Sequence, residues 1–338
     1  MTEEDAAQAR CGGGSAQQCR PPDILAAYPP QEDGFAAGSR PVSYAVVYVR
    51  PESNGLLYER AIAAAIRRRG EEVIYLANLN GGLLQSDGIL EGHYVTQLRF
   101  ASDPRAEAAR YPEVAERLAQ RFGAPAGRLE LVGSFEAASR TGLSEEELFE
   151  TFVPPADFLS CWGQQFKRIG GIVVANPGLP AVLRRYTPQA NVFVLAVRSA
   201  DGSSGFFADL NRAIYREITS RTETPLVDGE RLGPVPWSEK VRRTYHISRT
   251  HLMAMFDLAD FVYLDDRRRL GVAHTPLGRR LLDEGVLTAE RLQAVKRDPL
   301  VRLPGSAGQD GLSAGLYYLP LAGGGQSLDF TKQLLRGL

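Results

Sequence analysis

The segment SYAVVYV, Ser43–Val49, constrains the fold most. It carries no charge and is built from β-branched, aromatic and small apolar residues, the pattern of a strand covered on both faces. After the loop RPESNG, the stretch LLYERAIAAAIRRRG places Leu57, Ala61, Ala65 and Ile66 on one helical face. Arg67–Arg69 enrich its last turn and Gly70 supplies the stop. A second apolar run, EEVIYLANLNGG, follows. Strand, helix and strand in this spacing predict a right-handed βαβ unit.

The same alternation returns at GGIVVANPG, LPAVLRRY, NVFVLAV and a helix bearing Phe207, Leu210, Ile214 and Ile218. The expected fold is therefore α/β: an open, mostly parallel, mixed-edge sheet flanked by helices, Rossmann-like, with a helical C-terminal portion. Between the two alternating stretches, YVTQLRF reads as a half-exposed strand and Pro112–Phe122 as a helix. RLELVGSF alternates again, and Ser144 with Glu147 has capping-box spacing. Phe158, Leu159, Trp162, Phe166 and Ile169 form a stripe that predicts a further helix. Ser238 is the expected N-cap of a long helix carrying Val241, Tyr245, Ser248, Leu252, Met255, Phe256 and Ala259, and DFVYLDD is a short strand after it.

Three segments result. Residues 1–40 are rich in Ala, Gly, Gln and Pro and read as a disordered tail, with a short piece at Ile24–Tyr28 docked on the body. Residues 41–221 form the α/β domain. Residues 222–338 are a helical portion packed on the same sheet, with a short strand near 260–265 and a Pro/Gly-punctuated hinge, lid or plain loop at 222–236.

The charge total is 39 basic against 40 acidic residues, a formal net charge of −1, so a whole-chain polycation built for nucleic acid is excluded. Only Lys167, Lys240, Lys296 and Lys332 are lysine, so the basic side is almost all arginine. Codon usage and arginine's bidentate contacts to anions both give that bias. No stretch is long and apolar enough to span a membrane, and the N-terminus lacks the apolar region of a secretory signal. Cys11, Cys19 and Cys161 make neither a disulfide framework nor a CxxC pair, so the expected setting is the reducing cytoplasm.

In an open parallel sheet, ligands bind beyond the carboxyl ends of the strands. Four loops would share that edge, and they give the candidate ligand-binding residues Arg50, Ser53 and Asn54; Asn78 and Asn80; Asn176; and Arg198, Asp201, Ser203 and Ser204. Three of these loops lead into helices whose N-terminal amides favour an anion, and Arg50 and Arg198 offer matching guanidinium forks. The same Asn, Asp, Ser and Gly residues are also what turns require. Neither GxGxxG nor GxxxxGK[ST] occurs, and no GxSxG elbow anchors a hydrolase triad.

His93, in Glu-Gly-His-Tyr beside an expected strand, is the candidate general acid or base. Asp265 and Asp266, at the end of FVYL, are the other catalytic candidates, a carboxylate pair suited to Mg²⁺; Arg267–Arg269 beside them would equally neutralise them. His246 and His251, five apart on one expected helix, lack the spacing of a zinc face, and His251 and Cys161 read as core residues.

Residues His274–Gly285, HTPLGRRLLDEG, resemble the passage from wing to last helix in winged-helix regulators. LGRRLLDEGVLTAERL, Leu277–Leu292, is similar to a unit of the helical N-terminal domain of type II secretion ATPases, a resemblance that implies cyclic dinucleotide binding. Two function classes therefore stand. One is an enzyme or enzyme-like protein taking a nucleotide or phosphorylated metabolite. The other is a regulatory or interaction protein using the 274–296 helices or the tail.

Overall fold

The computed structural model describes residues 20–29, 42–200, 202–203, 205–222, 243–303, 315–320 and 328–338. Its largest sheet has five strands: β1 (Asp23–Ala26), β2 (Ser43–Val49), β3 (Glu72–Asn80), β8 (Asn191–Ser199) and β9 (Tyr245–Ile247), in the order β1-β3-β8-β2-β9. Every pairing in it is antiparallel. A second sheet joins β4 (Leu131–Gly133), β5 (Phe158–Cys161), β6 (Gln164–Ile169) and β7 (Ile172–Ala175) in the order β4-β7-β6-β5, and only β4 and β7 are parallel. The hairpin of β10 (Leu300–Leu303) and β11 (Gly315–Tyr318) is antiparallel as well.

The expectation of an open, mostly parallel, Rossmann-like sheet is thus wrong, and the cause lies in β8. β2 and β3 run in the same direction around the helix Leu56–Arg68, as the βαβ pattern requires, but β8 is inserted between them and runs the other way. Burial on both faces, which the apolar runs correctly signalled, comes from helices on each side of the sheet and does not depend on strand direction. In β2 the alternate residues Ala45, Val47 and Val49 join one core with Ile62, Ile66, Leu210 and Ile214 of the helices Leu56–Arg68 and Phe206–Thr222. Val46 and Tyr48 join the opposite core with Leu84, Leu90, Leu258 and Phe261, from the helices Gly81–Ser86, Ile89–His93 and His251–Phe261.

Other segments also differ from expectation. YVTQLRF is part of the helix Val95–Ser102, which buries Thr96 and Phe100 four residues apart. The stripe from Phe158 to Ile169 is the β5–β6 hairpin, turned at Trp162-Gly163 with φ of 44° and 78°. A second two-residue turn, Gly170-Gly171 with φ of 58° and 90°, joins β6 to β7. Turns with both central residues at positive φ match the twist of a hairpin, and Gly-Gly is a standard signal for one.

The long helix expected from Ser238 is replaced over its described part by β9 and a helix that starts at His251, capped by the Thr250 side chain accepting from Met253 N–H at 3.1 Å. Ser238 itself lies outside the described residues, as do Cys11, Cys19 and the 223–236 connection. The run near 260–265 is the end of that helix and an isolated bridge between Tyr263 and Arg269. The capping box at Ser144 and Glu147 is present, with the Glu147 carboxylate accepting from Ser144 N–H at 2.8 Å. Among the described residues, no helix is long and apolar enough to cross a membrane.

Candidate functional site

β9 pairs with β2 so that His246 lies directly across from Tyr48, and side chains opposite each other project from the same face. Their rings stack, with centroids 4.6 Å apart and planes 14° from parallel. Two residues on, Ser248 is drawn into the sheet edge: its Oγ accepts from Val46 N–H at 2.9 Å. The helix His251–Phe261 then runs back across this face and carries Asp257 and Asp260 inward, both essentially buried in an otherwise apolar helix.

Asp257 is the hub. One carboxylate oxygen, Oδ2, lies 2.8 Å from His246 Nε2 and accepts from Ser248 Oγ–H at 2.7 Å. The other, Oδ1, lies 3.5 Å from Nδ1 of His93, the last residue of the helix Ile89–His93. The far side of His93 is met by the Tyr48 hydroxyl, 3.4 Å from Nε2. Burial would raise the Asp257 pKa, but the charge and hydrogen bond of His246, with help from His93 and Ser248, outweigh it and hold the carboxyl below its usual range. Burial, reinforced by His246, pushes His93 down to about 3, so its imidazole is neutral at physiological pH. The Tyr48 hydroxyl stays protonated, since burial drives its pKa well up.

These groups open on a cavity of about 170 Å³, walled by Tyr94, Gln97, Phe256 and Tyr318 and reached by Arg50, Asp260 and Lys296. Lys296 pairs with Asp260, so that second carboxylate is neutralised. Arg50 is different. It directly follows β2, where its backbone N–H donates to Thr244 O at 3.0 Å, and its side-chain Nε is buried without a hydrogen-bond partner among the described residues. Its sequence neighbour Glu52 is taken by Arg185, at 2.7 Å. His93, His246 and Asp257 present one donor atom each within 4.8 Å of one another, the three metal-ligating side chains that converge here among the described residues.

The candidates read from the sequence are distributed differently. Arg50 and His93 line the same cavity. Arg198 cannot join them: it is opposite Tyr44, six residues along β2 from Arg50 and roughly 20 Å away at strand rise. There it pairs with Glu72. Asn78 and Asn80 do sit at the Arg50 end of the sheet, because Asn78 pairs with Phe193 and Phe193 with Val49. Asn80, however, spends its side chain capping the helix Gly81–Ser86, accepting from Gly82 N–H at 3.0 Å. Asn176 belongs to the second sheet. It holds a left-handed conformation (φ 49°), donates to Gln97 O at 3.0 Å and Gln164 Oε1 at 2.9 Å, and accepts from Gln165 N–H at 2.9 Å.

Ser53 closes a 3₁₀ turn onto Arg50 O at 2.9 Å; Asn54 follows it with its Oδ1 buried and without a hydrogen-bond partner among the described residues. Ser203 lies before the helix Phe206–Thr222, and Asp201 and Ser204 are outside the described residues. The Arg50 and Asn78–Asn80 loops thus share one end of the sheet, while the reversal of β8 sends Arg198 to the other and Asn176 lies in the second sheet.

Asp265 and Asp266 are exposed in the turn between Tyr263 and Arg269. Asp265 accepts the backbone N–H groups of Arg267 and Arg268, at 3.0 and 2.8 Å, and those bonds keep its carboxyl low. It is a turn former rather than a partner of the cavity. The 274–296 helices turn Leu277, Leu281, Leu292 and Val295 into a core with Met255 and Leu334, and Arg280 pairs with Glu284.

Asp257, His246, Tyr48 and Lys296 were missed from the sequence. Two acids inside LMAMFDLADF were the available signal, since a buried carboxylate requires partners. No protein-family model, curated protein or solved structure matches this chain.

Proposed function

We propose that the cavity binds a small anionic ligand, a nucleotide or phosphorylated metabolite, and that the protein acts on it as an enzyme. The carrying observation is Arg50. A guanidinium that lines a cavity, with its Nε buried and without a hydrogen-bond partner among the described residues and with its nearby carboxylate Glu52 shared with Arg185, keeps donor capacity for a ligand. The imidazole of His246, oriented by Asp257, supplies a group able to move a proton beside that anion. The cavity volume of about 170 Å³ suits a phosphate with a small organic body better than a polymer. A cytoplasmic setting goes with this reading, as does the free thiol of Cys161.

The test is calorimetric titration of the full chain with inorganic phosphate, sugar phosphates and mononucleotides, repeated on Arg50→Met and Arg198→Met. Saturable binding lost in Arg50→Met and kept in Arg198→Met supports the reading. Absence of binding to every phosphate compound, or equal loss in both variants, refutes it.

A further inference from the structure

We infer that His93, His246 and Asp257 form a binding site for a divalent transition metal, open on one side to the cavity. The three side chains come from three separate elements, a helix end, an edge strand and a buried helix, yet their donor atoms fall within 4.8 Å of one another. The Asp257 carboxylate stands between the two imidazoles, with Oδ2 2.8 Å from His246 Nε2 and Oδ1 3.5 Å from His93 Nδ1. An ion about 2.1 Å from each donor separates neighbouring donors by about 3.0–3.4 Å in tetrahedral or octahedral geometry. The three donors, all within 4.8 Å of one another, therefore reach that spacing by side-chain adjustment alone.

Further contacts match what ligating side chains require. Metal-bound histidines and carboxylates are held by outer hydrogen bonds that fix ring orientation. Here the Tyr48 hydroxyl meets the far nitrogen of His93 at 3.4 Å, and Ser248 donates to Asp257 at 2.7 Å. The face of Tyr48 against His246 sets the angle of that ring. The nearby acid Asp260 is withdrawn by Lys296, so the ligand set is two imidazoles and one carboxylate. Two nitrogens and one oxygen favour zinc, iron, cobalt or nickel over magnesium and calcium, which take oxygen.

Three ligands on one side leave coordination positions facing the cavity that Arg50 also lines. A bound ion there would polarise an anion held by the guanidinium, as Lewis-acid catalysis requires. The metal is held by His93, His246 and Asp257 and the anion by Arg50, so each binding event can fail alone; with metal bound, the imidazoles ligate rather than carry protons.

The experiment takes the full chain freed of metal by chelator and titrates it with ZnCl₂ by calorimetry and with CoCl₂ by visible absorption. Expected are one saturable equivalent and a cobalt spectrum of low-coordinate nitrogen and oxygen ligation without a thiolate band. Binding should weaken about 100-fold or more in His93→Ala and His246→Gln, and stay within about threefold in His274→Ala and Arg198→Met. No saturable binding, a cobalt spectrum unchanged from the aqueous ion, or affinity kept in both histidine variants overturns the proposal. The cobalt spectrum needs only the unaltered protein, so misfolding of a variant does not shield the proposal. Metal binding that persists while phosphate binding is absent sinks the anion reading alone.

Discussion

Replacing Arg50 by Met should make the protein more stable and less able to bind phosphate. The guanidinium Nε is buried without a hydrogen-bond partner among the described residues, and Glu52, whose charge acts on it, is engaged with Arg185. An unsatisfied buried donor costs about 1–3 kcal/mol. Met keeps the unbranched stem and its packing, so removal of the donor should return about 1–2 kcal/mol of that. For 338 residues the unfolding entropy is about 0.7 kcal/mol/K, which converts the gain to a Tm increase of about 1.5–3 °C. Ligand reverses the order. At 100 times its Kd, an anion stabilises the unaltered protein by about 2.7 kcal/mol, about 4 °C, and Arg50→Met by nothing. Scanning calorimetry of both proteins, with phosphate against chloride at matched ionic strength, reads all four values. A variant whose Tm falls by more than 2 °C without ligand would show that Arg50 is a structural contact of Tyr48, Tyr94 and Tyr186, the tyrosines that act on it electrostatically. A variant that keeps the phosphate response would refute its role in binding.

Three further outcomes follow from packing and burial. Gly163→Ala should lower the urea midpoint, by a stability loss of about 2 kcal/mol, because φ is +78° there and an added Cβ would meet Tyr318 Cε1 at 2.5 Å; an unchanged midpoint would mean the hairpin is not seated on Tyr318. His251, pushed down to about 4 by burial, is neutral when folded, whereas in the unfolded chain it takes a proton near 6.5. Stability should therefore fall as pH drops from 6.5 toward 4, by at most about 3 kcal/mol from this residue, and His251→Phe should flatten that limb of a denaturation series; equal slopes in both proteins would contradict the burial. The Cys161 thiol, pushed up to about 12 by burial, should react with maleimide at pH 8 about 1000-fold more slowly in the native protein than in urea, followed on its own peptide by mass spectrometry. Native labelling within tenfold of the denatured rate would contradict it.

Local structure was legible where one residue type forces one geometry. Ser144 and Glu147 announced their capping box, and Ser43–Val49 announced a strand with no exposed face. The errors arose where two periods fit one string. Phe158, Trp162 and Phe166 are spaced for a helix, yet also occupy a hairpin, and only the positive-φ pair Trp162-Gly163 decides between them. Tyr94–Phe100 alternates like a strand, but the helix Val95–Ser102 that takes up all of it except Tyr94 buries Thr96, Phe100 and Ala101, at helical spacing. Direction was the deeper loss. A strand's residues are the same whichever way its neighbour runs, so nothing in NVFVLAV tells that β8 enters antiparallel between β2 and β3.

That single reversal also decides what the sequence could say about the site. With parallel strands, Arg50 and Arg198 would share an edge; with β8 reversed they stand at opposite ends of the sheet, and each needs a separate explanation. Arg198 has Glu72, whereas Arg50 shares Glu52 with Arg185, keeps its Nε without a hydrogen-bond partner among the described residues and turns to a cavity. The groups that share that cavity come from residues 93, 246, 257 and 296, brought together by β9 closing on β2 and by the helix that follows it. A distant pairing of three residues, Tyr245–Ile247, thus sets His246 against Tyr48 and starts the turn that delivers Asp257. What remains readable in one dimension is the cost. Two carboxylates in an apolar helix demand counter-groups, and the neutral pairs and hydrogen bonds that meet the demand define the site.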